Sequence, residues 1–180
     1  LAPDRSDDMG RRPSRALVAG GAAVIALAGA CGGGETEAPV AHGSARTGVG
    51  PAAREVCSAM VRESVPASVG LPLIADPVSS VRGETFSCRY SFAGGTLDLS
   101  VRDLHTLPQA REYFRQLRGR EGVEDALSGL AAGGFTRSDG SVVAMKDAMV
   151  LTVDPTGLPS TGNEPVNVGI DVAATVLHCW

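Results

Sequence analysis

The sequence is poor in aromatic side chains, which make up 4% of its 180 residues, and it holds a single lysine, Lys146, among 16 basic residues. A core must therefore be assembled from Val, Leu, Ala and Ile, and the cationic surface from arginine. No uninterrupted apolar run reaches the roughly 18 residues of a strong membrane-spanning segment. An excess of positive charge is also missing. The formal charge is −4, which argues against a nucleic-acid binder that works by neutralising phosphates. What is present is 43% hydrophobic residues and 23 glycines, too apolar for a wholly disordered chain and of a length that suits one domain.

The first thirty residues read as an export signal. The leader before Met9 is acidic (Asp4, Asp7, Asp8), the wrong flank for such a signal, whereas a start at Met9 places Arg11, Arg12 and Arg15 ahead of the apolar stretch Ala16 to Ala30. Met9 is therefore the expected start. Arg11-Arg12 lack the hydrophobic followers of a twin-arginine signal. At the end of the stretch, Leu27-Ala28-Gly29-Ala30-Cys31 resembles a bacterial lipobox, which implies that Cys31 receives diacylglycerol and becomes the first residue of the mature protein. The leucine stands one place early, and Ala28-x-Ala30 also meets the ordinary secretory cleavage rule, which would leave a soluble protein. Residues 31–53, opening Cys31-Gly-Gly-Gly-Glu-Thr-Glu, have the low complexity of a tether. This divides the chain into a signal at 1–30, a lipidated cysteine and tether at 31–53, and one extracytoplasmic domain at 54–180.

Within that domain, Arg54 to Val65 reads as a helix with Val56, Cys57, Met60, Val61 and Val65 on one side, ended by Pro66 and the Gly70-Leu71-Pro72 turn. Val78 to Arg82 is a faint strand. From Glu84 to Phe92, Phe86, Cys88, Tyr90 and Phe92 alternate with Thr85, Ser87, Arg89 and Ser91, the period of a half-buried strand. Gly94-Gly95 predicts a hairpin into Leu97, Leu99 and Val101, which alternate with Thr96, Asp98, Ser100 and Arg102. Thr106 and Gln109 form a capping box for a second helix that stops near Gly119, with Ala110, Tyr113, Phe114 and Leu117 on its apolar face. Strands at Phe135 to Ser138, Ser141 to Met145 and Met149 to Val153 follow, the first two joined by Asp139-Gly140 with both turn residues at positive φ. Val166 to Trp180 closes the chain as an apolar helix whose polar stripe is Asn167, Asp171, Thr175 and His178. The expected class is α+β: an antiparallel sheet of five to six strands with helices packed on one face.

If Cys31 is acylated, Cys57, Cys88 and Cys179 remain, and an oxidising compartment favours at least one bridge. Loop entropy gives about 3.7 kcal/mol for joining 57 to 88 and about 4.9 kcal/mol for joining 57 to 179, too close to decide. Cys57 and Cys88 both lie on inward faces and are the favoured pair. Cys57–Cys179 is the alternative, and three buried thiols remain the bland one.

Chemistry is sparsely signalled. There is no G-x-S-x-G, C-x-x-C or H-E-x-x-H pattern, and Asp98, Asp103 and His105 read as a surface turn rather than an acid–base pair. No catalytic residue, metal site or cofactor is expected. Arg111, Arg115 and Arg118 recur at i, i+4, i+7 and form the one basic stripe that could meet an anionic envelope ligand, although Glu112 interleaves with them and favours a salt-bridged solvent face.

The whole arrangement resembles the small actinobacterial cell-envelope lipoproteins of unknown function. The likeness rests on the lipobox, the tether, a helix-borne cysteine followed by a strand cysteine of C-x-Y type (Cys88-Arg89-Tyr90), and the stretch from Ser128-Gly129-Leu130 to Phe135. It spans most of residues 9–180 and implies localisation and fold class, not an activity. The expectation is a non-enzymatic binding domain, held at the outer face of the cell membrane by lipid, that meets an envelope ligand or protein partner and no nucleic acid. The rivals are a soluble or anchored thiol enzyme using an unpaired cysteine, and a structural accessory of a larger envelope complex.

Overall fold

The computed structural model describes residues 48–120, 123–159 and 164–180. The signal, Met9 and Cys31 lie outside them. Among the described residues one antiparallel sheet has seven strands in the order β1-β2-β3-β7-β6-β5-β4. The first three form a meander: β1 (Val78–Arg82), β2 (Thr85–Phe92) and β3 (Gly95–Asp103). β7 (Met149–Asp154) pairs with β3 at the centre of the sheet, followed outward by β6 (Val142–Lys146), β5 (Gly134–Arg137) and β4 (Val123–Leu127). The class is α+β as expected, with more strands than the five to six read from the sequence. β4 is the addition. Its Val123-Glu-Asp-Ala-Leu127 carries no alternation, and its pairing with β5 shifts register between Val123 and Ala126.

The register places apolar residues in rows. Cys88 pairs with Leu99, which pairs with Val153, which pairs with Val142; Phe86, Val101, Leu151 and Ala144 form the adjacent row. These side chains are buried on one face under two helices, α2 (Ala59–Val69) and α4 (Pro165–His178). α2 turns Val61, Val65 and Val69 inward at i, i+4, i+8. On α4, Val168, Val172 and Val176 do the same, and Gly169 lets the helix close on β6: an added Cβ would meet Val142 Cγ2 at 2.9 Å.

The opposite face has its own cover. α3 (Leu107–Arg120) begins where the Thr106 hydroxyl accepts from the Gln109 N–H, one half of the expected capping box; the Thr106 N–H donates to the Leu104 carbonyl instead of to the Gln109 side chain. It lays Ala110, Tyr113, Phe114 and Leu117 over Phe135, Val143, Met145 and Val150. The rings of Phe114 and Phe135 meet edge to face at 5.2 Å. Helices thus pack on both faces, not on one. The physical reason lies in Val142-Val-Ala-Met145, a continuous apolar run whose every residue is buried. A strand apolar on both sides requires shelter on both sides.

Three local expectations also change. The first helix is broken: α1 (Pro51–Arg54) and a short 3₁₀ turn over Glu55–Cys57 precede Ser58, whose ψ of 162° interrupts the helix while its hydroxyl accepts from the Val61 N–H. Met60 is consequently 44% exposed instead of inward. Pro66 does not stop α2, which runs on to Gly70 at φ 76°, because Val69 still finds a buried place and the Gly70 N–H caps the Pro66 carbonyl. At Asp139-Gly140 only Gly140 has positive φ, 83°. Asp139 instead turns its carboxylate to the Ser141 N–H at 2.8 Å.

The folded body also starts earlier than residue 54. Ala53 is fully buried, and the Gly50 N–H donates to Asp103 Oδ2 at 2.9 Å. Val49 to Ala53, assigned by the sequence reading to the tether, belong to the domain.

Candidate functional site

Cys57 and Cys88 form a disulfide with Cα atoms 5.5 Å apart, so the favoured pairing is the one present. It joins the 3₁₀ turn to the buried face of β2. Beside it the Tyr90 hydroxyl donates to the Val56 main-chain oxygen, and burial pushes its pKa well above the usual phenol range. Cys179 stands outside the bridge, half-buried at the end of α4 against the same core. The cysteine at 31 lies outside the described residues.

The charged residues singled out from the sequence separate into different surroundings. Asp98 and Asp103 sit on opposite faces of β3. Asp103 is buried, and its carboxylate accepts from the main-chain N–H of both Gly50 and His105. The His105 ring lies 3.4 Å from Asp103 and 3.8 Å from Glu84, while Glu84 also meets Arg102 at 3.3 Å. These groups hold a turn together. Arg111, Arg115 and Arg118 are all exposed on α3. Arg115 pairs with Glu112, whose other oxygen takes the Gln116 amide. Lys146, the lone lysine, donates to the main-chain oxygens of Leu177 and Trp180, where a cation suits a helix C-terminus. It lines a recess of about 380 Å³ with Leu130 and His178, where its ammonium is already engaged by these two hydrogen bonds. Among the described residues, no three His, Cys, Asp or Glu side chains gather as a metal site.

A different surface has the form of a site. α3 shelters only the β5–β7 side of its face, and the β1–β2–β3–β7 side is an open trough of about 640 Å³. Register lays three parallel rows across this face, and all of their residues but Thr85, Arg102 and Val150 line the trough. The middle row runs Ser80–Ser87–Ser100–Thr152, one hydroxyl from each of four neighbouring strands. One flanking row runs Val78–Arg89–Asp98–Asp154, and the other runs Arg82–Thr85–Arg102–Val150. Arg89 grips Asp98 through two bonds of 2.8 and 3.0 Å, a fork geometry that fixes both side chains. Asp154 accepts from Thr156 through its N–H and hydroxyl. At the α3 end, Arg102 bonds Glu84 and lies 4.4 Å from the centre of the Tyr113 ring, closing the trough. None of the four middle-row hydroxyls is hydrogen-bonded to another group among the described residues.

Half of this surface is legible in the sequence. The outward combs of β2 and β3 are legible as the polar members of the alternation. Their alignment into one row depends on register, and Thr152 joins only because β7 pairs with β3, which no local signal encodes. Comparison with family models, with curated proteins and with solved structures finds no match.

Proposed function

We propose that this chain is a lipid-anchored, extracytoplasmic protein of the cell envelope that acts by binding, with the trough as its contact surface. The observation that carries the reading is the row of four hydroxyls flanked by paired charges on one open sheet face. Its polar groups lie side by side along a surface instead of converging on one reacting atom, the arrangement of a recognition platform. The Cys57–Cys88 bridge supports export, since structural disulfides persist in oxidising compartments. The lipobox-like Leu27-Ala28-Gly29-Ala30-Cys31 and the Gly-rich stretch after it support an anchor with reach. Two or three acyl chains hold a protein at a membrane far more firmly than one.

Mass spectrometry of the native protein tests this reading. A mature N-terminus at Cys31 bearing a diacylglyceryl thioether is expected, and Cys31→Ala should move the protein from the membrane fraction. An unmodified Cys31, or a chain left in the cytosol with its leader intact, would overturn it.

A further inference from the structure

We infer that the trough takes a neutral glycan chain, laid across the strands along the hydroxyl row, an inference that rests on the trough being a ligand surface. Three properties of the surface point to this occupant. The first is repeat length. Neighbouring hydroxyls are one strand apart, about 4.8 Å, so the four span about 14 Å. An extended glycan presents a hydroxyl-bearing ring at a similar interval, and consecutive sugars therefore meet consecutive strands. The second is hydrogen-bond type. Each serine or threonine hydroxyl both donates and accepts, as a sugar hydroxyl does, and the four of this row are not committed elsewhere among the described residues.

The third property is charge. Arg82 and Arg89 are balanced by Asp98 and Asp154 within the same trough. A polyanion laid here would face the two carboxylates and a polycation the two guanidiniums. A neutral chain meets neither penalty and finds donors from arginine and acceptors from aspartate beside the row. Val78, 67% exposed at the rim, offers an apolar contact for the C–H face of a ring. A volume of about 640 Å³ lies within the usual range of ligand sites, roughly 300–1,000 Å³.

Calorimetry and amide chemical-shift mapping on the full chain in detergent test the inference. The probes are three neutral tetrasaccharides (β-1,4-linked N-acetylglucosamine, mannose and glucose), with a sulfated oligosaccharide and polylysine as charged controls. Binding of at least one neutral probe is expected, with shifts confined to β1, β2, β3 and β7. Ser100→Val should weaken it about fivefold, the effect of one lost hydrogen bond, and a Ser87→Val and Ser100→Val double variant roughly tenfold or more. Valine suits a strand, so both variants should keep the wild-type melting temperature. Combined Arg111→Ala, Arg115→Ala and Arg118→Ala should leave binding unchanged. No neutral probe binding at millimolar concentration, preference for a charged control, or shifts mapping to α3 would overturn the inference. Its failure beside a lipidated Cys31 would discard the glycan and leave the anchored reading standing.

Discussion

The two faces of the sheet are built from the same strands and differ in what the register hands each of them. On the α2–α4 face, β2, β3, β7 and β6 contribute rows such as Cys88–Leu99–Val153–Val142, closed over by two helices and a disulfide. On the other, the rows change character partway across. Phe135 and Val143 lie under α3, and the same row continues as Thr152, Ser100, Ser87 and Ser80 in the open. The boundary follows the edge of one helix. The row thus begins as buried core and ends as open polar surface, and the change falls at a single line.

The comparison is broken most severely by removing the bridge. Replacing Cys57 and Cys88 together by alanine should cost about 4 kcal/mol by loop entropy, read as a large fall in melting temperature. Leu99→Ala, in the middle of the dry face and fully buried, should cost roughly 2–5 kcal/mol in denaturant unfolding. The buried phenol gives a pH test. Because burial raises the Tyr90 pKa in the folded state, its contribution is complete below the unfolded value near pH 10 and is lost as pH rises from there through the folded pKa. Stability measured across alkaline pH should therefore fall, and Tyr90→Phe should flatten the fall after an initial loss of about 1 kcal/mol. At the small end, Ser87→Val and Ser100→Val on the open face should each change stability by no more than about 0.5 kcal/mol. A large loss there would mean that the platform belongs to the core after all.

The parts legible in the sequence are those with a local period. Phe86, Cys88, Tyr90 and Phe92 announce β2, Leu97, Leu99 and Val101 announce β3, and Thr106 with Gln109 marks the start of α3. The bridge followed from two inward-facing cysteines. The side of the sheet taken by α3 was not legible, because an apolar helix face does not say which of two apolar surfaces it will meet. Val142 to Met145 held the clue, a run with no polar member to mark an outside. β4 was missed because an edge strand needs little burial, and Val123 to Leu127 show no period of two. Arg111, Arg115 and Arg118 formed a pattern on one helix, whereas the trough is written across four strands and comes together only on pairing.

The grip on Gly50 has a mechanical consequence. Its N–H is held by the buried Asp103 carboxylate, so closely that an added Cβ would lie 2.8 Å from the oxygen. Two residues on, the Ala52 carbonyl receives the indole N–H of Trp180. A pull arriving through residue 48 is therefore loaded onto β3, next to the middle of the sheet, and onto the segment beyond α4, before it can peel α1 away. A domain clamped in this manner would hold its shape under drag, and alanine at position 50 would lower the force at which it yields.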